Sequence, residues 1–530
     1  MTSLKETDDR HIDQATGQEA VLTFLSASLG DATRRVDTHA SIVFLAPDKV
    51  LKVKRAVRLP FLDYSTLDKR RNACEEELAV NRRYAPKLYR RVVPITREHH
   101  SLQIDGQGPP VEWAVEMARF DERRTFDHLA GSGEITPEIA EQLADVMLAS
   151  HRESTIADGA RWLASFSGII DRNTEKFRNQ TFLAPDAVER LHRSSHERLA
   201  GQFPLMQQRA AGGFVRRCHG DAHLGNIVLI EQRPVLFDAI EFDPVIATTD
   251  VLYDLAFPLM DLVHFGERAA ANRLLNRYLL ASWQENANTL ALLPLFLSVR
   301  AAIRANVLFT RHEQSARDHA IITQAKFYFD LALHLITPQA PMLLAIGGKS
   351  GTGKTVLARN IGAALDPPPG AVVLRSDVIR KELFGVDPLC ALPESAYAPK
   401  VTARVYQTMA ARGEMLLKQG ISVVLDAAFL REDERNQLPP LAISAGASFH
   451  GVFLDADRAI RLQRIAARRH DASDATAEVA LEQEAYDIGK LDWPIVDAAG
   501  SPKDTLARAA QAVHLPPGGI VSGFDVGQTG

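Results

Sequence analysis

The segment Gly348-Lys349-Ser350-Gly351-Thr352-Gly353-Lys354-Thr355 constrains this chain more than any other, because G-x-x-x-x-G-K-[ST] works only between a buried strand and a helix. Both neighbours are present: Met342-Leu343-Leu344-Ala345-Ile346 reads as the strand, and Val356-Leu357-Ala358-Arg359-Asn360-Ile361 as the helix. The glycines let the backbone of Gly348, Lys349, Ser350, Gly351, Thr352 and Gly353 curl so that its N–H groups converge on phosphate oxygens. The positive end of the helix dipole adds to that field. Lys354 is expected to reach the β/γ-phosphates and the Thr355 hydroxyl to ligate Mg²⁺. An α/β P-loop domain with a parallel sheet, binding a nucleoside triphosphate, follows for this half.

At 530 residues the chain exceeds one ordinary core. Its 61 basic and 66 acidic residues leave a formal charge of −5, so no strong field favours nucleic acid or an anionic membrane. Cys74, Cys218 and Cys390 lie far apart, which suggests neither a disulfide framework nor a zinc site. The polar stretch Met1 to Gln14 lacks the apolar core of a signal peptide. The apolar run Leu290 to Val299 is interrupted by Arg300 and Arg304, short of a membrane span. These features predict a cytoplasmic protein without nucleic-acid or membrane partners; they leave its oligomeric state open.

The N-terminal part reads β-rich and then α-rich. Residues 17–28 and 67–83 have helical periodicity; strands are expected at Ser41–Leu45, Val50–Lys54, Tyr89–Ile95, Ser101–Ile104 and Trp113–Met117. A helical region follows from about Ile139. That region runs to Arg209, and after it come His219-Gly220-Asp221-Ala222-His223-Leu224-Gly225-Asn226 and, twelve residues later at the end of an apolar strand, Asp238. Protein kinases place a catalytic Asp and a metal-binding Asn five residues apart on one loop, with a second metal-binding Asp one strand-turn on. On that pattern Asp221 orients and deprotonates an acceptor hydroxyl, while Asn226 and Asp238 hold Mg²⁺; His219 and His223 brace the loop.

The segment His219–Asn226 resembles the Brenner-type catalytic loop of aminoglycoside phosphotransferase-like kinases, and Phe237-Asp238-Ala239-Ile240-Glu241-Phe242-Asp243 resembles their metal-binding segment. The resemblance implies an upstream phosphate-binding lysine. Lys52 and Lys54 share a strand face, and Lys52 fits the family's strand pattern better. It also implies a helix-borne partner, Glu77 with Glu76 as alternative, and a hinge at Glu116-Met117 whose backbone meets adenine. No G-x-G-x-x-G loop is present; Thr38-His39-Ala40-Ser41 stands in its place.

In the P-loop half, Asp426 ends an apolar strand, where a Walker-B-like acid contacts Mg²⁺. Asp377, after the strand ending at Arg375, is expected in the same crevice. There it is either the base for an acceptor hydroxyl, as in small P-loop kinases, or a helix N-cap. Arg461, Arg464 and Arg468 share one helix face, beside Arg469, and read as a lid resembling that of nucleoside-monophosphate kinases or as a solvated face. Asp471-Ala472-Ser473-Asp474-Ala475 reads as a substrate grip or a cap.

Taken end to end, the chain resembles bacterial two-domain proteins with an aminoglycoside phosphotransferase-like domain and a P-loop (AAA or zeta-toxin-type) kinase domain. The fold this implies is an α+β bilobal protein-kinase-like domain followed by an α/β P-loop domain. The expected division is an N-lobe at 1–117, a helical C-lobe at 118–335, a linker at 336–341, the P-loop domain at 342–515 and a tail at 516–530. ATP and Mg²⁺ are the implied cofactors, and small hydroxylated molecules the implied acceptors.

Overall fold

The computed structural model describes residues 17–38, 40–59, 62–99, 101–314, 318–467 and 472–515. It divides into two compact units. One comprises the described residues up to 132 with 149–164 and 209–257; the other comprises 133–148, 165–208 and the described residues from 258 on.

The first unit is built on a six-stranded antiparallel sheet, in the order Arg34–Asp37, Ser41–Leu45, Lys49–Lys54, Pro110–Ala118, Tyr89–Glu98, Ser101–Ile104. Side-chain alternation splits its apolar residues between two cores. Leu51 and Val53 join Ile42, Phe44, Val93 and Ile95 against Val21, Leu22 and Leu25 of the helical segment 17–28. Val50 faces the other way, with Val115 and Met117, against Cys74 of the helix Leu67–Asn81. Thr66 caps that helix, its side chain accepting from Lys69 N. Because Lys52 and Lys54 have the parity of Val50, the pleat aims both ammonium groups at the face this helix covers. The strand Arg34–Asp37 is an element that the apolar pattern does not reveal, since it is largely exposed and charged.

The second unit carries a five-stranded sheet in the order Val372–Arg375, Val423–Asp426, Met342–Gly348, Ser448–Asp455, Ile495–Asp497, with every pairing parallel. Its near-continuous apolar strands are those of a sheet covered on both faces, with Leu344, Ile346, Val424, Val452 and Leu454 packed against Leu357 and Ile361 of the P-loop helix. The edge strand Val372–Arg375 is closed by a helix rather than a strand. Within Arg268–Ala281, Asn276 donates to Ala371 O at 3.1 Å and accepts from Val373 N at 2.8 Å. Asn272 donates to Pro369 O and Ala371 O at 3.1 and 2.9 Å.

The apolar run expected to end at Arg300 corrects itself here. Helical turns continue over Trp283–Glu313, 31 residues whose most apolar window has a hydropathy of 1.6 and passes for a membrane span by length and composition. Arg300, whose side chain is buried, does not end the helix, and 83% of the window is buried within the fold.

The expected linker 336–341 falls between the last residue of the helix His319–Ile336 and the first of the P-loop strand. The expected tail, 516–530, lies outside the described residues.

Candidate active sites

In the first unit, Lys52 Nζ bridges Glu77 Oε1 at 2.8 Å and Asp238 Oδ1 at 2.6 Å. Lys54, two residues on, does not replace Lys52 but duplicates it. Its Nζ meets the other oxygen of Glu77 at 2.7 Å and pairs with Glu241. Glu77 is fully buried, Lys54 only 2% exposed. Burial opposes every charge in this network, yet Lys52 and Lys54 together hold Glu77 below the ordinary carboxylate range. Asp238 is likewise held low, desolvation being outweighed by Lys52 first and Lys54 second. At Glu241 burial wins and its value is raised. Glu76, the alternative partner, is turned about 100° away on the helix and is exposed.

Asp238 sits at φ +59°, in the left-handed region that a non-glycine residue adopts only when its surroundings compel it. The compelling contacts are local. Its N–H donates to Tyr89 Oη at 3.1 Å, and the next residue, Ala239, donates its N–H to Asn81 Oδ1 at 2.7 Å. On the loop His219–Asn226, Asn226 Nδ2 donates to Asp221 O at 2.9 Å and to Asp221 Oδ2 at 3.2 Å. His219 is buried, donates through Nε2 to Phe237 O at 2.9 Å and is depressed in basicity by burial. His223 Nδ1 accepts from Gly225 N at 3.0 Å. Both histidines therefore brace the loop. Met117 is buried one residue before its strand ends, in register with Val50 on one side and Tyr89 on the other.

The P-loop of the second unit has the backbone its glycines allow. Gly353 at φ +93° begins the helix Lys354–Ala364, and a Cβ on Gly351, at φ +84°, would stand 2.6 Å from Arg461 O. Lys354 Nζ donates to the loop carbonyls of Gly348 and Lys349 at 2.8 and 3.0 Å. Thr355 Oγ1 donates to Asp426 Oδ2 at 2.6 Å, joining the two expected metal-binding residues; Arg375 Nε approaches the same oxygen at 3.4 Å. Thr352 Oγ1 ties back to Lys349 O at 2.8 Å.

These groups line a cavity of about 610 Å³ with Asp377, Arg380, Arg464, Ser473 and Asp474. Asp377 lies in the first helical turn after Arg375 and is not the N-cap. Burial and the nearby Asp426 carboxylate raise it, against Arg375.

The arginine face divides. Arg461 is buried, donates to Ala456 O and Ser350 O, and pairs with Glu484, so it buttresses the P-loop and is not part of a solvent-facing lid. Arg464 lines the cavity and donates to Thr352 O at 3.4 Å and Gly500 O at 3.1 Å. Arg468, Arg469 and Asp471 lie outside the described residues. Asp474 accepts from Lys381 Nζ at 2.7 Å, Tyr397 Oη at 2.6 Å and Leu392 N at 3.1 Å, while Thr476 caps the helix that follows.

Sequence reasoning missed three groups. Asn81 has a readable signal, sitting four residues after Glu77 on the same helix face. Glu241 and Gln483 have none. Gln483 Oε1 accepts from Ser350 N at 2.7 Å, and Lys349 Nζ pairs with Glu484 at 2.8 Å, so the 483–485 turn rests on the P-loop.

Residues 343–486 match the family model described as an AAA domain. An uncharacterized protein of Mycobacterium tuberculosis is 25% identical over 485 residues, spanning 89% of this chain and 94% of its own. Among solved structures, a gluconokinase from Sinorhizobium meliloti is similar at 19% identity over 33% of this chain and 93% of its own, with a TM-score of 0.25. A choline/ethanolamine kinase family protein from Mesorhizobium loti is similar at 12% identity over 60% and 99%, with a TM-score of 0.36. The elements described above make the N-terminal part an α+β protein-kinase-like domain and the C-terminal part an α/β P-loop kinase domain with a parallel sheet.

Proposed function

We propose that the chain is a bifunctional ATP- and Mg²⁺-dependent phosphotransferase that moves the γ-phosphoryl group to hydroxyls of small molecules at two separate sites. The observation that carries this reading is Lys52, held between Glu77 and Asp238 beside the joined pair Asp221–Asn226. In the first site Lys52 neutralises phosphate charge while Glu77 fixes its position, the backbone at Met117 meets the base, and Asp221 orients the acceptor hydroxyl and takes its proton. The side-chain oxygens of Asn226 and Asp238, and those of Thr355 and Asp426, form the hard donor sets that suit Mg²⁺. The ion, when bound, supplies positive charge against the phosphate oxygens.

In the second site the Gly348–Gly353 backbone and Lys354 hold the phosphates, and Arg464 adds positive charge at the cavity wall. Arg468 belongs to the same proposal by sequence. Asp377, raised by burial, is the base for the second acceptor. The acceptors are small and soluble rather than nucleic acid or lipid, and the protein works in the cytoplasm, divided at 336–341; the modest charge of −5 supports this.

A second reading, in which the P-loop half senses nucleotide and only the first site turns over, draws on Gln483 occupying the Ser350 N–H. One experiment separates the two. ATP consumption is measured with a cytosolic metabolite extract for wild type, Asp221→Ala, Lys354→Ala and the double variant, and products are identified by mass spectrometry. Loss of a different phosphorylated product in each single variant supports two kinases in one chain. If Asp221→Ala abolishes all turnover while Lys354→Ala removes no product, the second reading holds; if Asp221→Ala changes nothing while Lys354→Ala abolishes all turnover, the first site is not an enzyme and the proposal fails there.

A further inference from the structure

Two histidines spaced i, i+4, His192 and His196, share a face of the helix Pro185–Ala211. Asp171, on the helix Gly159–Arg178, stands opposite, so that one nitrogen of each ring and one carboxylate oxygen lie within 4.8 Å of one another. The surrounding hydrogen bonds orient the two rings. Buried Thr174 has one hydroxyl proton and donates it to Ile170 O at 2.9 Å. His192 Nδ1, 3.1 Å from the same hydroxyl oxygen, is therefore the donor in that bond, and in the neutral ring this puts the lone pair on Nε2. His196 Nε2 lies 2.8 Å from Asp171 Oδ1, and a shared proton holds that pair together.

We propose that Asp171, His192 and His196 form a binding site for a first-row divalent transition ion of the zinc type, which clips the two helices together. Two imidazoles and a carboxylate suit Zn²⁺, with water in the fourth position, and do not suit Mg²⁺ or Ca²⁺, which take oxygen donors. The Thr174 hydroxyl is the outer partner that orients His192 and sets its tautomer. The charged neighbours are Glu189, which Arg178 holds at 2.7 and 2.9 Å, and Arg193. None of its residues is among those assigned to the two nucleotide sites.

The test titrates the full chain with Co²⁺ and with Zn²⁺ in excess Mg²⁺, which keeps the oxygen-donor sites filled. Wild type is expected to take up one ion with the visible absorption of tetrahedral cobalt. The variant His192→Gln/His196→Gln loses that equivalent while melting as wild type does in the absence of zinc. Thr174→Val keeps all three ligands and weakens zinc binding by about 10–100-fold. Absence of tetrahedral cobalt absorption in wild type, or equal zinc uptake by wild type and the double variant, overturns the proposal. Unchanged affinity in Thr174→Val overturns the role given to Thr174.

Discussion

Replacing Lys54 by Met keeps the aliphatic stem and removes only the charge, which isolates the work done by the second lysine. Glu77 retains Lys52, but Glu241, 7% exposed, loses its cationic partner. Stranding one member of a buried ion pair costs about 3–5 kcal/mol. Here the loss has a ceiling, because Glu241 escapes by binding a proton. Protonating a carboxyl of ordinary value near 4.3 costs about 3.7 kcal/mol at pH 7 and about 1 kcal/mol at pH 5. Lys54→Met is therefore expected to destabilise the first unit by roughly 3 kcal/mol at pH 7 and by about a third of that at pH 5. Lys54→Met/Glu241→Gln should recover most of the pH 7 loss. Urea denaturation of the three proteins at both pH values, followed by hydrogen exchange in the Lys49–Lys54 strand, reads the difference. An equal loss at pH 7 and pH 5 would refute the reasoning, since it would mean that Glu241 is not the group left uncompensated. Turnover at the Asp221 site separates the lysines further: it should vanish in Lys52→Met and persist in Lys54→Met at temperatures below its transition.

The raised Asp377 carboxyl predicts a gain from neutralising it. A carboxyl whose folded value lies above its unfolded one favours folding at low pH and opposes it once ionised, so Asp377→Asn should melt above wild type at pH 7. That gap should close as the pH falls into the ordinary carboxylate range, and Lys354-dependent turnover should be lost at every pH. His264 is stacked on Tyr328 at 3.6 Å and pushed down to about 4 by burial, so it folds neutral. Its contribution is present above the ordinary 6.5 and lost as the pH falls towards 4, a cost of about 3 kcal/mol that His264→Phe should remove from the acid side of the urea midpoint curve. Asn276→Ala leaves the Val373 N–H without its acceptor, and should cost about 1–3 kcal/mol with faster exchange of that amide. An unchanged Val373 exchange rate would show that the helix does not guard the strand.

The P-loop backbone and the juxtaposition of Asp221 with Asn226 were legible because each is a local pattern, with placement set by separation along the chain and by the strand or helix that carries it. The sheet strands were legible where apolar residues alternate or run together, and the exposed Arg34–Asp37 strand was not, having no apolar face to announce it. Parity placed Lys52 and Lys54 on one face, but parity cannot say that both reach Glu77, since that depends on how deeply the helix seats. Arg461 shows the converse failure. Its helical spacing matches that of Arg464, yet the close approach of Gly351 draws it behind the P-loop and away from solvent. Gln483 lies 133 residues from the backbone N–H it caps, a separation over which no sequence rule carries.

The two asparagines on the helix Arg268–Ala281 bear on how such a chain can change over evolutionary time. An open sheet edge invites pairing with any extended segment, and here that invitation is answered by carboxamides that imitate a neighbouring strand's backbone. The guard is encoded upstream of the linker and the edge downstream of it. Splitting the gene at 336–341 would separate them, leaving the C-terminal product with an unguarded Val372–Arg375 strand and a tendency to self-associate. The joining of the two parts is thus more than a tether: the helix Arg268–Ala281 supplies a fitted cover for the edge of the P-loop sheet, and losing that cover is a cost of separating them.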